Sequence, residues 1–165
     1  MKVADDFSKF EVVKNYTSKY GSQDSNIDVE LQTITFFHPA ADHNDTLSYH
    51  VEIVDLQKKE FVYDILVPVQ INDDFAFPMM ITTENYVFYF GLTVLPDVIV
   101  NDFHSYELST GKVNDLGVIN STREFNSAGS YSGDVALVNF EKTVYAFKLT
   151  EPGKITNLTV EGLIF

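Results

Sequence analysis

The chain reads as an all-β protein, mainly an antiparallel meander folded into a β-sandwich or barrel, with a small or partial β-propeller as the alternative. Three observations predict this. Over most of its length apolar residues alternate with polar ones at a period of two, the repeat of a strand with one wet face. The 14 Phe and 9 Tyr, with no Trp, suit a pleated surface. One hairpin pattern also recurs. Val54-Asp55-Leu56-Gln57-Lys58-Lys59-Glu60-Phe61 aligns without gaps on Tyr106-Glu107-Leu108-Ser109-Thr110-Gly111-Lys112-Val113. Phe147-Lys148-Leu149-Thr150-Glu151-Pro152-Gly153-Lys154-Ile155 follows with one residue inserted and Lys148 in the acid's place. Each reads as strand, tight polar turn, strand.

Taken in order, residues 1–21 hold one short helix. Phe7, Phe10, Val13, Tyr16 and Tyr20 recur at spacings of three and four, Asp5 or Asp6 caps the start, and Gly21 ends it. Residues 27–165 are antiparallel strands. Ile27, Val29 and Leu31 alternate with polar residues, the phase shifts at Gln32-Thr33 as at a bulge, and Ile34 and Phe36 restart it. Leu47, Tyr49, Val51 and Ile53 alternate with Ser48, His50 and Glu52, and residues 60–67 return from a turn at Lys58-Lys59. Residues 86–95 lack polar alternation, which predicts a strand buried on both faces, with a bulge or a close backbone approach at Gly91. Further strands are expected at 98–108, 112–119, 134–140, 143–149 and 154–164, with a turn at Glu141-Lys142. Asn120 to Gly133, rich in Ser, Asn and Gly, reads as a long loop.

The repeated hairpins resemble the blade hairpins of β-propellers, where an acid-Leu-x-Thr-Gly-Lys turn is common. Leu56, Leu108 and Leu149 lie 52 and then 41 residues apart, near the length of one blade. The resemblance covers three short segments and implies a fold, with four blades at most in 165 residues.

That length makes residues 1–165 a single domain able to bury a core of its own. The absence of Cys excludes disulfides, thiolate metal sites and a thiol nucleophile. The net charge is −13 with 11 Lys and Arg in total, Arg123 being the sole arginine. Such a chain is poorly equipped to neutralise a run of phosphates, so no nucleic-acid partner and no membrane insertion are expected, and anionic membrane surfaces are poor partners. No stretch approaches the roughly 18 apolar residues of a membrane helix. The protein is expected in the cytoplasm if Met1 is its native start, and outside or on the cell surface if a leader was removed.

The densest polar cluster is His38-Pro39-Ala40-Ala41-Asp42-His43-Asn44-Asp45. His38, Asp42, His43 and Asp45 would supply N and O ligands to a divalent metal if the loop converged them. The competing reading is a solvated turn between strands. Asn72-Asp73-Asp74 likewise reads as a Ca²⁺ cluster or as a turn. There is no G-x-S-x-G elbow, and residues 127–133 lack the lysine of a phosphate loop. No Lys or Arg occurs between Lys59 and Lys112, while acids and aromatics are plentiful. Either that interval presents an acidic aromatic face for a sugar or a cation, or its strands are too buried to hold an unpaired ammonium. The composition therefore points to a non-enzymatic binding or structural domain for a neutral glycan or a basic protein. The alternatives are a metal- or carboxylate-dependent enzyme on a β-scaffold and an acidic inhibitor or immunity-type protein. No cofactor is expected beyond a divalent metal.

Overall fold

A computed structural model describes residues 2–3, 10–11, 14–20, 24–41, 47–68, 80–121, 129–140 and 143–159. They form three four-stranded antiparallel sheets and one two-residue ladder. The ladder pairs β1 (Lys2–Val3) with β2 (Phe10–Glu11). The first sheet holds β3 (Asp24–Asp28), β4 (Thr33–Ala41), β5 (Leu47–Asp55) and β6 (Glu60–Pro68). The second holds β7 (Met80–Thr82), β8 (Tyr86–Val94), β9 (Ile99–Glu107) and β10 (Val113–Ser121). The third holds β11 (Gly129–Ser132), β12 (Val135–Phe140), β13 (Thr143–Lys148) and β14 (Ile155–Thr159). Within each sheet the strands lie side by side in chain order, the up-and-down organisation of a propeller blade, and no closed barrel forms among the described residues.

The sheets stack face to face, and the middle one is buried on both faces. Val87 and Tyr89 of β8 point towards the first sheet, into a cluster with Tyr49, Val51, Ile53 and Val67. Phe88 and Phe90 alternate to the other face and join Phe103, Leu116, Val138 and Phe147 between the second and third sheets. Alternation fails over residues 87–90 because both sets of side chains are inside, and burial of this kind disfavours an unpaired cation on the strand; Val94 and Leu95, at its far end, are exposed. A polar link also crosses the second interface. Ser105 Oγ donates to the Leu149 carbonyl at 2.7 Å, and Asn114 Nδ2 donates to that carbonyl at 3.3 Å and to Ser105 Oγ at 3.2 Å.

The repeated leucine has a structural reason. Leu56 N–H donates to Gln32 O at 2.9 Å, Leu108 N–H to Asn85 O at 2.9 Å, and Leu149 N–H to Asp134 O at 2.8 Å. In each sheet this bond ties the third hairpin turn to the first, at the same end. Lys59 N–H closes its turn on Asp55 O, and Gly111 N–H closes its turn on Glu107 O, both at 2.8 Å with the donor residue left-handed (φ 60° and 73°).

Four expectations need correction. No helix forms within residues 14–20, and Phe10–Glu11 is strand. Lys19 N–H is bonded to the buried Glu52 carboxylate of β5, so it is not available to an i−4 carbonyl. The phase shift at Gln32-Thr33 is no bulge but a hairpin turn over residues 29–32, with Gln32 left-handed (φ 53°) and Asp28 Oδ1 accepting from Leu31 N–H at 2.7 Å. It escaped notice because Val29-Glu30-Leu31 alternates like a strand, although Val29 is exposed in the turn. The stretch read as a loop contains β11 and the end of β10; β11 is an edge strand, held by its backbone ladder to β12 and by Tyr131. Gly91 sits in unbroken register opposite Asp102, and the register shifts fall instead at Ile53/Val54 and Asp115/Gly117.

Gly117 carries φ of +112°, and a β-carbon there would sit 3.1 Å from Ile155 Cδ1. Gly117→Ala is therefore expected to cost about 1–3 kcal/mol through backbone strain, measured as a lower urea midpoint with an unchanged slope. An unchanged midpoint would show that the bulge relaxes freely.

Candidate functional site

The first turns of all three sheets meet around one trough. Its inner part, about 380 Å³, is lined by Glu30 of the first sheet, Glu84, Asn85 and Tyr86 of the second, and Tyr131 and Asp134 of the third. It continues past Leu31, Thr83, Glu84 and Asn85 into a second part of about 620 Å³ that reaches Asp55, Lys58 and Tyr63. Each carboxylate is placed there by a turn: Glu30 lies in the β3–β4 turn, Glu84 in the β7–β8 turn and Asp134 in the β11–β12 turn.

Tyr131 crosses between sheets. Its hydroxyl donates to Asp28 Oδ2 at 2.5 Å, joining the first strand of the third sheet to the first strand of the first. Burial pushes the Tyr131 hydroxyl pKa well above its ordinary value, and the bond to Asp28 and the charges of Asp28, Glu30 and Glu84 raise it further. Tyr86 is raised too, by burial first and then by Glu107 and Asp134. Both phenols therefore stay protonated at neutral pH under a shared negative potential. No Lys, Arg or His is among the described residues lining the inner part. In the outer part Lys58 is 3.1 Å from Asp55 Oδ2, already paired. The arrangement offers stacking surface, acceptor oxygens and net negative charge, but no base positioned on a nucleophile.

Of the residues the sequence singled out, His38 lies on β4 directly opposite His50, with its ring centroid 6.4 Å from that of Tyr20. Asp42, His43 and Asp45 lie outside the described residues, as do Asn72-Asp73-Asp74. The cation-free interval contributes Glu84, Asn85 and Tyr86 to the trough. The other trough groups come from segments read as plain strand or loop. Their common signal, an acid beside each tight turn, was visible only for the repeated hairpins.

A second cluster sits on the middle sheet. Asp102 and His104 share one face of β9, and Asp115 of β10 pairs across from His104. One donor atom from each of the three lies within 4.8 Å of the others. His104 Nε2 is 3.1 Å from Asp102 Oδ2, its ring rests against Tyr89 with centroids 5.4 Å apart, and Asp115 Oδ1 accepts from Gly117 N–H at 2.9 Å. No protein-family model matches this chain, and no curated protein matches it in sequence.

Proposed function

We propose that this protein is a non-enzymatic recognition domain whose trough takes a basic segment of a partner protein. The observation that carries the reading is the convergence of Glu30, Glu84 and Asp134 around Tyr86 and Tyr131, the latter bonded to Asp28, in one concave site with no cation among its described lining residues. A lysine or arginine entering there gains charge-assisted hydrogen bonds and a ring to lie on. Glu30, Glu84 and Asp134 carry the only charges among the described residues of the inner part, which favours a cation over a neutral sugar. The net charge of −13 adds long-range steering of a basic partner.

The test is fluorescence anisotropy of a labelled Lys/Arg-rich decapeptide against the full chain. Binding should weaken at least tenfold between roughly 50 and 200 mM salt, because the contacts are screened. The triple variant E30Q/E84Q/D134N should bind at least tenfold more weakly, while E60Q/D97N/E151Q, which changes net charge equally elsewhere, should bind within about twofold of the native protein. Equal loss in both variants would reduce the effect to bulk charge and overturn the site. Salt-insensitive binding of a neutral oligosaccharide in place of the peptide would replace it with glycan recognition.

A further inference from the structure

We infer that Asp102, His104 and Asp115 form a surface site for a borderline divalent cation of the Zn²⁺ or Mn²⁺ type. The argument begins with register. In an antiparallel sheet, residues two apart on one strand and their cross-strand neighbour project from the same face. Asp102 and His104 are two apart on β9, and Asp115 is paired with His104 on β10. The fold thereby brings an imidazole and two carboxylates to one point with no loop to order, and their donor atoms lie within 4.8 Å of one another.

The separation of the first pair suits an ion. Two donors about 2.1 Å from a metal stand about 3.0 Å apart on an octahedral ion and about 3.4 Å apart on a tetrahedral one. Asp102 Oδ2 and His104 Nε2 are 3.1 Å apart, within the range of two donors on one ion. Two features keep the remaining space open. The β8 residue opposite Asp102 is Gly91, which has no side chain to cover the carboxylate. Asp102 is 44% exposed and Asp115 is exposed, which leaves the outer coordination positions to water or to a ligand.

The positions of the ligands are fixed from behind. The Gly117 N–H, turned by the register shift, holds Asp115 Oδ1, and Tyr89 supports the imidazole ring. Electrostatics favours occupation, since two carboxylates close together on a strongly acidic chain are stabilised by a dication. The nitrogen ligand selects against Mg²⁺ and Ca²⁺, which take oxygen. The site lies on β9 and β10, apart from the turn-end trough, so it stands or falls independently of the recognition reading.

Isothermal titration of the metal-free full chain with ZnCl₂, MnCl₂ and MgCl₂ tests this. One equivalent of Zn²⁺ or Mn²⁺ should bind at the cluster, and Mg²⁺ should bind at least a hundredfold more weakly. His104→Ala should weaken that binding at least a hundredfold. Asp115→Asn, which keeps the Oδ1 that accepts from Gly117 N–H, should weaken it at least tenfold. His43→Ala should leave it unchanged. Cobalt substitution should give a visible d–d spectrum that Asp115→Asn alters. No binding of Zn²⁺ or Mn²⁺, binding that survives both cluster variants, or binding that His43→Ala removes would each overturn the assignment.

Discussion

Replacing Phe103 with Ala is expected to destabilise the protein by about 3–5 kcal/mol, the range for deleting a buried aromatic ring. Phe103 is fully buried at the interface of the second and third sheets. Its ring centroid lies 4.4 Å from that of Phe147, 5.4 Å from Phe90 and 5.9 Å from Phe88, so it touches both layers. The hole cannot close by side-chain motion alone. The Ser105–Asn114–Leu149 hydrogen bonds on the same interface fix the spacing of the two sheets. Phe103→Leu keeps most of the volume and should cost under half as much. Denaturant titration of the two variants separates the outcomes. A Phe103→Ala loss below about 1.5 kcal/mol would mean that the third sheet docks loosely on the second, contrary to the packing described.

Most of the strand map was legible in the chain, and the reasons are local. Leu47 to Ile53 alternates because only one set of its side chains enters the first interface, while Val87 to Phe90 does not alternate because both of its faces are packed against a neighbouring sheet. The hairpin repeat was legible because the same backbone bond recurs in all three sheets, and a leucine donates it each time, after an acid in the first two and after Lys148 in the third. What escaped was set by distant contacts. β7 has three residues, too few to show a period, and its position depends on pairing with β8. β11 carries Gly and Ser and takes its register from β12. The aromatic spacing of residues 5–20 imitates a helix, yet Tyr16 meets Phe61 and Tyr20 stacks on His50 from an extended chain. Neither candidate site was legible as a whole. The trough joins turns some fifty residues apart in sequence, and Asp102, His104 and Asp115 form no recognisable spacing until the β9–β10 register is known.

That extended segment makes the second large effect calculable. Residues 14–20 lie across the outer face of the first sheet, and Glu52 anchors them. Glu52 is 4% exposed; it accepts from the Ser18 hydroxyl and from Lys19 N–H, at 3.1 and 3.2 Å to its two oxygens. Around this anchor the Tyr20 ring stacks on His50 with centroids 3.8 Å apart, and Lys19 Nζ reaches Asp64 Oδ2 at 3.1 Å. Lys19 and Asp64 are largely exposed and paired weakly, so the buried carboxylate carries the attachment. Glu52→Ala removes the acceptor of Lys19 N–H and is expected to cost about 2–3 kcal/mol. Glu52→Gln retains an oxygen for Lys19 N–H and should cost about half of that. Because the strap sits outside the two buried clusters, the loss should appear as local opening: hydrogen exchange at Lys19 and Tyr20 rising by tenfold or more, with exchange in β8 and β9 little changed. Unchanged exchange over residues 14–20 in Glu52→Ala would show that the aromatic stacking, and not the buried carboxylate, holds the strap to the sheet.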